Sequence, residues 1–254
     1  MTDHPDTAMA VVARGITQQG PWGRVYGPLD LDIPSGGLTI LRAEAGPGRT
    51  ALQMTLAGRM KARAGTLDVF GRTSAKAIFQ VSSLAAIAAL DDVYTSVKVG
   101  HLLTEKIRWD APWYRLIGRA RPDDLERICR PVFGDLPLPD LDTYVEELSE
   151  LDGLLLRVAL ANTRRTPLLV VGNIDQVTSD VNLRILVSRL AALGAEQTVI
   201  TTTVNHVDPA LGHRALIDVP SMLTDLAALS DVADLPADPA SHTPNGRTDF
   251  EGNI

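Results

Sequence analysis

The stretch RAEAGPGRTALQ, Arg42 to Gln53, sets two glycines, a cation and a hydroxyl within eight residues. Residues of this kind hold phosphate: glycines let backbone N–H groups approach an anion, a basic side chain neutralises it, and a Ser or Thr hydroxyl reaches its Mg²⁺. The usual spacing is G-x-x-x-x-G-K-[ST]. Here Ala43 takes the first glycine's place and Arg49 the lysine's, followed by Thr50. The candidate phosphate-holding residues are Ala43, Gly46, Pro47, Gly48, Arg49, Thr50 and Ala51, with Thr50 as a metal ligand. Arginine is a broad planar fork where lysine is a compact point charge, so the replacement is not conservative. On these residues alone, a plain strand-to-helix turn is the better reading.

The elements around the stretch must position it. GGLTILR (36 to 42) reads as a buried strand running into the loop, and TALQMTLAGRMKARAG (50 to 65) as a helix leaving it. AMAVVARG (8 to 15), PLDLDIP (28 to 34), TLDVFG (66 to 71) and KAIFQV (76 to 81) read as further strands. TPLLVVG (166 to 172), QTVITTT (197 to 203) and RALIDV (214 to 219) continue that series, with a helix over 181 to 193. Residues from about 95 to 165 carry helical patterns only. The pattern predicts an α/β fold with a mixed, mainly parallel sheet and an inserted helical subdomain over residues 1–229. Beyond Leu229 the chain is rich in Pro, Asp and Ala without periodicity, and 230–254 reads as a disordered acidic tail.

Composition narrows the classes. A net charge of -7 without a Lys/Arg-rich run speaks against a nucleic-acid binder. Cys129 is the single cysteine, which excludes an intrachain disulfide and fits a reducing compartment. The N-terminus MTDHPDT is polar and acidic, and the most apolar stretch, LDGLLLRVALA, is interrupted by Arg157, so neither a signal sequence nor a membrane span is expected. The five histidines show no pair at metal-ligand spacing, and no G-x-S-x-G elbow occurs.

Several stretches, in order, resemble an ATP-binding cassette domain, the phosphate-loop NTPase module of ABC transporters. GPLDLDIPSGGLTILRAEAGPGRTALQMTLAGRMKARAGTLDVFGR (27 to 72) is similar to the family's first sheet, Walker A loop and following hairpin. KAIFQVS resembles the strand that ends in the Q-loop glutamine, here Gln80, and TSVKVGHLL a helical-subdomain segment. YVEELSELDGLLLRVALANTRRTPLLVVGNID (144 to 175) resembles the signature motif, its helix and the Walker B strand. The motifs depart from the family's pattern in chemistry. LSELD keeps Leu148 and Ser149 but replaces Gly-Gly-Gln with Glu150, Leu151 and Asp152, and two carboxylates repel a phosphate. The same residues also read as an N-capped helix start. Gly172 stands for the metal-linked aspartate and Asn173 for the catalytic glutamate. Asp175 is the nearest carboxylate, but strand geometry does not carry it back without local rearrangement. Val204 stands for the switch histidine, with His206 two residues on. Trp22, then Tyr26, are the candidates to stack on adenine, a packed β-corner tryptophan being the equal alternative.

The resemblance implies a cytoplasmic ATP-binding subunit, peripheral on the inner face of the cell membrane. It would dock on an integral membrane protein and pair with a second cassette. ATP and Mg²⁺ are the implied cofactors, with Gln80 and Thr50 at the metal and Ser149 at the phosphate. Weak or absent hydrolysis is expected from Gly172 and Asn173, because a glycine cannot hold the metal shell and an asparagine cannot take a proton from water. A scaffold that keeps the cassette shape without nucleotide is the alternative; an unrelated phosphate-loop kinase fits the downstream motifs less well.

Overall fold

A computed structural model describes residues 8–21, 23–87 and 96–220. Five strands form one parallel sheet. In chain order they are β3 (Gly37–Arg42), β5 (Ser82–Ala85), β6 (Leu168–Asn173), β7 (Thr198–Thr203) and β8 (Ala215–Asp218), arranged β5-β6-β7-β3-β8. The loop-bearing strand thus lies between β7 and β8, and all five C-terminal ends point the same way. In open parallel sheets that edge is where ligands sit. A second, antiparallel sheet is built from β1 (Met9–Gly20), β2 (Gly23–Pro34) and β4 (Ala64–Val69) in the order β2-β1-β4.

Parallel strands are apolar on both faces when both faces are covered, and these alternate accordingly. Leu38, Ile40, Leu169, Val171 and Val199 face one core with α5 (Glu150–Ala161) and α6 (Asp180–Leu193). Leu41, Leu168, Val170 and Ile200 face the other with α1 (Pro47–Leu56) and the antiparallel sheet. Between β5 and α5 the chain forms α3 (Val99–Asp110) and α4 (Pro122–Phe133), whose Leu103, Ile128 and Phe133 join the first core. No described helix is long and apolar enough to cross a membrane.

Two expectations are corrected. The helix after the loop stops at Leu56, not Gly65: at Gly58 φ is +68°, and a Cβ there would lie 2.5 Å from the backbone nitrogen of Phe79, so the chain must turn away beneath its neighbour. Residues 76 to 81 are not a strand. Ala75–Gln80 is a short helix, α2, capped by Ser74, whose hydroxyl accepts from the Ala77 amide at 3.2 Å. The strand is the next segment, SSLA. Trp22 and the stretch 230–254 lie outside the described residues.

Candidate functional site

At its C-terminal end β3 releases the chain into the loop, and Pro47 at the first turn starts α1 with φ already suited to a helix. No side chain caps this N-terminus and no acid lies in its first turn. Its unpaired N–H groups and helix dipole therefore favour an anion. The Ala43 amide donates to the Thr203 carbonyl at 2.9 Å, which fixes the loop's base against β7. From within α1 the buried Gln53 Nε2 donates to the Val171 carbonyl at 3.0 Å and the Thr202 hydroxyl at 3.1 Å, joining the helix to β6 and β7. Loop, β6 and β7 thus form one hydrogen-bonded unit.

The cation of that unit is already engaged. Arg49 Nη1 lies 3.3 Å from Asp175 Oδ2, with the two side chains only 11% and 19% exposed. Asp175 also accepts from the Thr203 hydroxyl at 2.6 Å, the Val204 amide at 3.0 Å and Asn205 Nδ2 at 3.2 Å. A carboxylate held by a guanidinium and three further donors is well compensated for its burial. What carries it there is a 3-10 turn, Ile174–Gln176, directly after β6. This turn is the local rearrangement that Asp175 needs to reach the loop: the chain coils back where a continuing strand would have run past.

Gly172 has a structural cause as well as a chemical consequence. A Cβ at this position would lie 1.8 Å from the Ala86 carbonyl oxygen. Ala86 adopts φ +53°, and its carbonyl accepts from Gln176 Nε2 at 3.0 Å. The backbone after β5 has closed over the place where the metal-linked aspartate would stand. No side chain fits there without moving that backbone.

The other expected site residues are dispersed. Gln80 ends α2 at the N-terminal end of β5, so it belongs to the edge of the sheet opposite the loop; it lines a cavity with Arg59, Phe79 and Trp109. It cannot serve as a metal or γ-phosphate ligand from there. Tyr26 is fully buried, its hydroxyl 2.8 Å from Thr55 Oγ1, and burial raises its pKa; it packs under α1 and offers no face to an adenine. Ser149 caps α5, accepting from the Asp152 amide at 3.1 Å and donating to Asp152 Oδ2 at 2.7 Å. Glu150 accepts from the Thr178 amide at 3.0 Å and from its hydroxyl, which together hold the Glu150 carboxyl below its ordinary pKa. Residues 148 to 152 are a self-capped helix start. Among the described residues no hydrogen bond or ion pair brings His206 to the loop, while the amide of Val204 serves Asp175 instead.

The residues therefore fit the two expected cofactors unequally. The loop amides and the open end of α1 suit phosphate. They do not suit a bound Mg²⁺: Thr50 offers one hydroxyl, Gly172 no ligand, and Asp175 is committed elsewhere. No group of three or more His, Cys, Asp or Glu side chains suited to a metal occurs among the described residues.

In three dimensions the chain is similar to solved ATP-binding subunits of ABC transporters. CbiO1 from Clostridium perfringens, part of the ABC transporter complex CbiONQ, superposes with a TM-score of 0.65 at 11% identity, covering 83% of this chain and 84% of its own. An ATP-binding cassette of an ABC transporter in its ADP conformation gives 0.63 at 13% identity, over 84% and 90%. An ATP-binding protein from Pyrococcus furiosus, described as a putative ABC transporter, gives 0.62 at 14%, over 82% and 96%. No family sequence model and no curated protein sequence matches the chain. The fold is that of the phosphate-loop NTPase cassette of ABC transporters, as the sequence resemblance implies.

Proposed function

We propose that this chain is a transporter-associated cassette subunit that binds nucleotide weakly and does not hydrolyse it. The fold and the open N-terminus of α1 support a nucleotide-holding role. The Arg49–Asp175 pair is the observation that carries the rest, because the residue placed to neutralise a triphosphate is already neutralised by the protein's own carboxylate. Nucleotide entering the loop must displace Asp175 or share Arg49 with it. Gly172 and Asn173 supply neither a metal ligand nor a general base, and a general base alone is worth roughly 10²- to 10⁴-fold in rate. In this reading the cassette docks on an integral membrane protein at the inner face of the membrane and pairs with a second cassette. Its contribution is shape and occupancy, not turnover.

The test is a titration of the purified chain with a fluorescent ATP analogue, with and without Mg²⁺, beside a phosphate-release assay. The reading expects saturable binding that Mg²⁺ barely strengthens, and no release above that of an Arg49→Ala variant. Mg²⁺-dependent release lost in that variant would overturn it. The second reading, a scaffold that never uses nucleotide, is favoured by how fully Asp175 is satisfied. Absence of saturable binding at millimolar nucleotide would decide for it.

A further inference from the structure

The end of α3 and the residues joining it to α4 carry chemistry that the nucleotide site does not use. Trp109, Trp113, Tyr114 and Leu116 are 78%, 97%, 73% and 100% exposed, and the Trp113 and Tyr114 rings meet edge to face at 6.0 Å. Large apolar side chains in this number within eight residues are not incidental exposure. The loop is also tied down: the Arg108 guanidinium donates to the Ile117 carbonyl, and the Ala120 amide to Thr104 Oγ1 at 2.8 Å. These bonds anchor the loop on either side of the rings.

Beside the rings lies a cavity of about 960 Å³ lined by Arg115, Arg119, Arg121, Arg127 and Arg164, with Asp110 and Asp124. Arg127 is paired with Asp124, and Arg164 with Asp110. Arg115 and Arg119 have no acidic partner within ion-pair distance among the described residues, whereas Arg121 is engaged with Asp124, which accepts from its amide at 3.1 Å. In a chain of net charge -7 this is a local positive field. It lies at the N-terminal edge of the sheet, where Asp110 accepts from Thr163 shortly before β6, and so away from the phosphate loop.

We propose that the α3–α4 loop is a docking surface for an anionic lipid bilayer. Tryptophan, tyrosine and arginine each join an apolar body to a polar tip and settle at the headgroup level. The unpaired guanidiniums match headgroup phosphates as bidentate donors, while Trp113 and Leu116 reach towards the acyl boundary. Each cation near an anionic surface strengthens binding roughly fivefold, so Arg115 and Arg119 together give a substantial bias over a neutral bilayer. The surface does not depend on nucleotide binding, and either proposal stands if the other fails.

The experiment is co-sedimentation of the full chain with vesicles of phosphatidylcholine alone or doped with phosphatidylglycerol, read with tryptophan emission. The expected result is association with the anionic vesicles only, with a blue shift and a steep loss in salt. Arg115→Glu with Arg119→Glu, and separately Trp113→Ser with Leu116→Ser, should each weaken it at least about tenfold with unchanged circular dichroism. Association no stronger than with phosphatidylcholine alone, or retained by both double variants, overturns the proposal. So does capture by polyglutamate without vesicle binding, which would assign the patch to an acidic protein partner.

Discussion

Two helix N-termini in this protein have taken opposite courses. The end of α1 is bare, with Pro47 at its first turn, no capping side chain and no acid. The end of α5 is closed by Ser149, which accepts from the Asp152 amide, while Glu150 and Asp152 set two acids in its first turn against the helix dipole. In an intact cassette both ends would meet phosphate. Here α5 has become self-sufficient, and α1 has kept its open amides but lost the free use of its cation to Asp175. An anion site can thus be lost by filling the helix end or by occupying the charge beside it, and only the second course leaves the amides available.

The largest effect that would sharpen this contrast is at Gly172. Gly172→Asp, offered as a restoration of the metal ligand, should destabilise the fold by more than about 4 kcal/mol, because the Cβ itself collides with the Ala86 carbonyl; Gly172→Ala should share most of that loss. Thermal unfolding of both variants checks it, and a stable Gly172→Asp protein with Mg²⁺-dependent turnover would break the contrast. Arg49→Ala comes next. Leaving Asp175 without its guanidinium should cost about 2–3 kcal/mol, below a fully orphaned charge because Thr203, Val204 and Asn205 still hold the carboxylate. Ser149→Ala should cost only about 1 kcal/mol in chemical denaturation, the ordinary value of a helix cap. A phosphate-holding serine with no capping role would cost nothing.

The last effect shows only at high pH, lies far from both ends and serves as a reference. Burial pushes the Cys129 thiol up from an ordinary 9.0 to about 12. Its neutral form is favoured in the folded state, so its contribution is complete below about pH 9 and is lost as pH rises towards 12. Stability should therefore fall over that window, less so in Cys129→Ala once its own cavity cost is subtracted. Native protein should resist thiol reagents at pH 8.

Much of the frame was legible because it rests on long patterns: the strand into the loop, the helix behind it, and the later β-α-β series ending in TVITTT. The misreading of 76 to 81 has a physical origin. Six residues with Ile78, Phe79 and Val81 satisfy strand and helix periodicity equally, and Ser74, the cap that decides for helix, stands outside the apolar run. The true strand, SSLA, has no β-branched residue to announce it. That error carried Gln80 to the wrong edge of the sheet. Asp175 stands out in the sequence as the nearest carboxylate, but its pairing with Arg49 does not, because a 3-10 turn after an apolar strand leaves no periodic mark. The available signal was the string of threonines closing β7, which places hydroxyl donors at the loop edge where a carboxylate can be held.

The central claim is that Asp175 occupies the charge meant for phosphate. Titration of wild type and Asp175→Ala with the same fluorescent ATP analogue, without Mg²⁺, tests it most directly. Freeing Arg49 should tighten binding by about tenfold or more, of the order of 1.4 kcal/mol, and adding salt should narrow the gap. Equal or weaker binding by a folded Asp175→Ala protein would contradict the account and make Asp175 a support of the loop instead of its competitor.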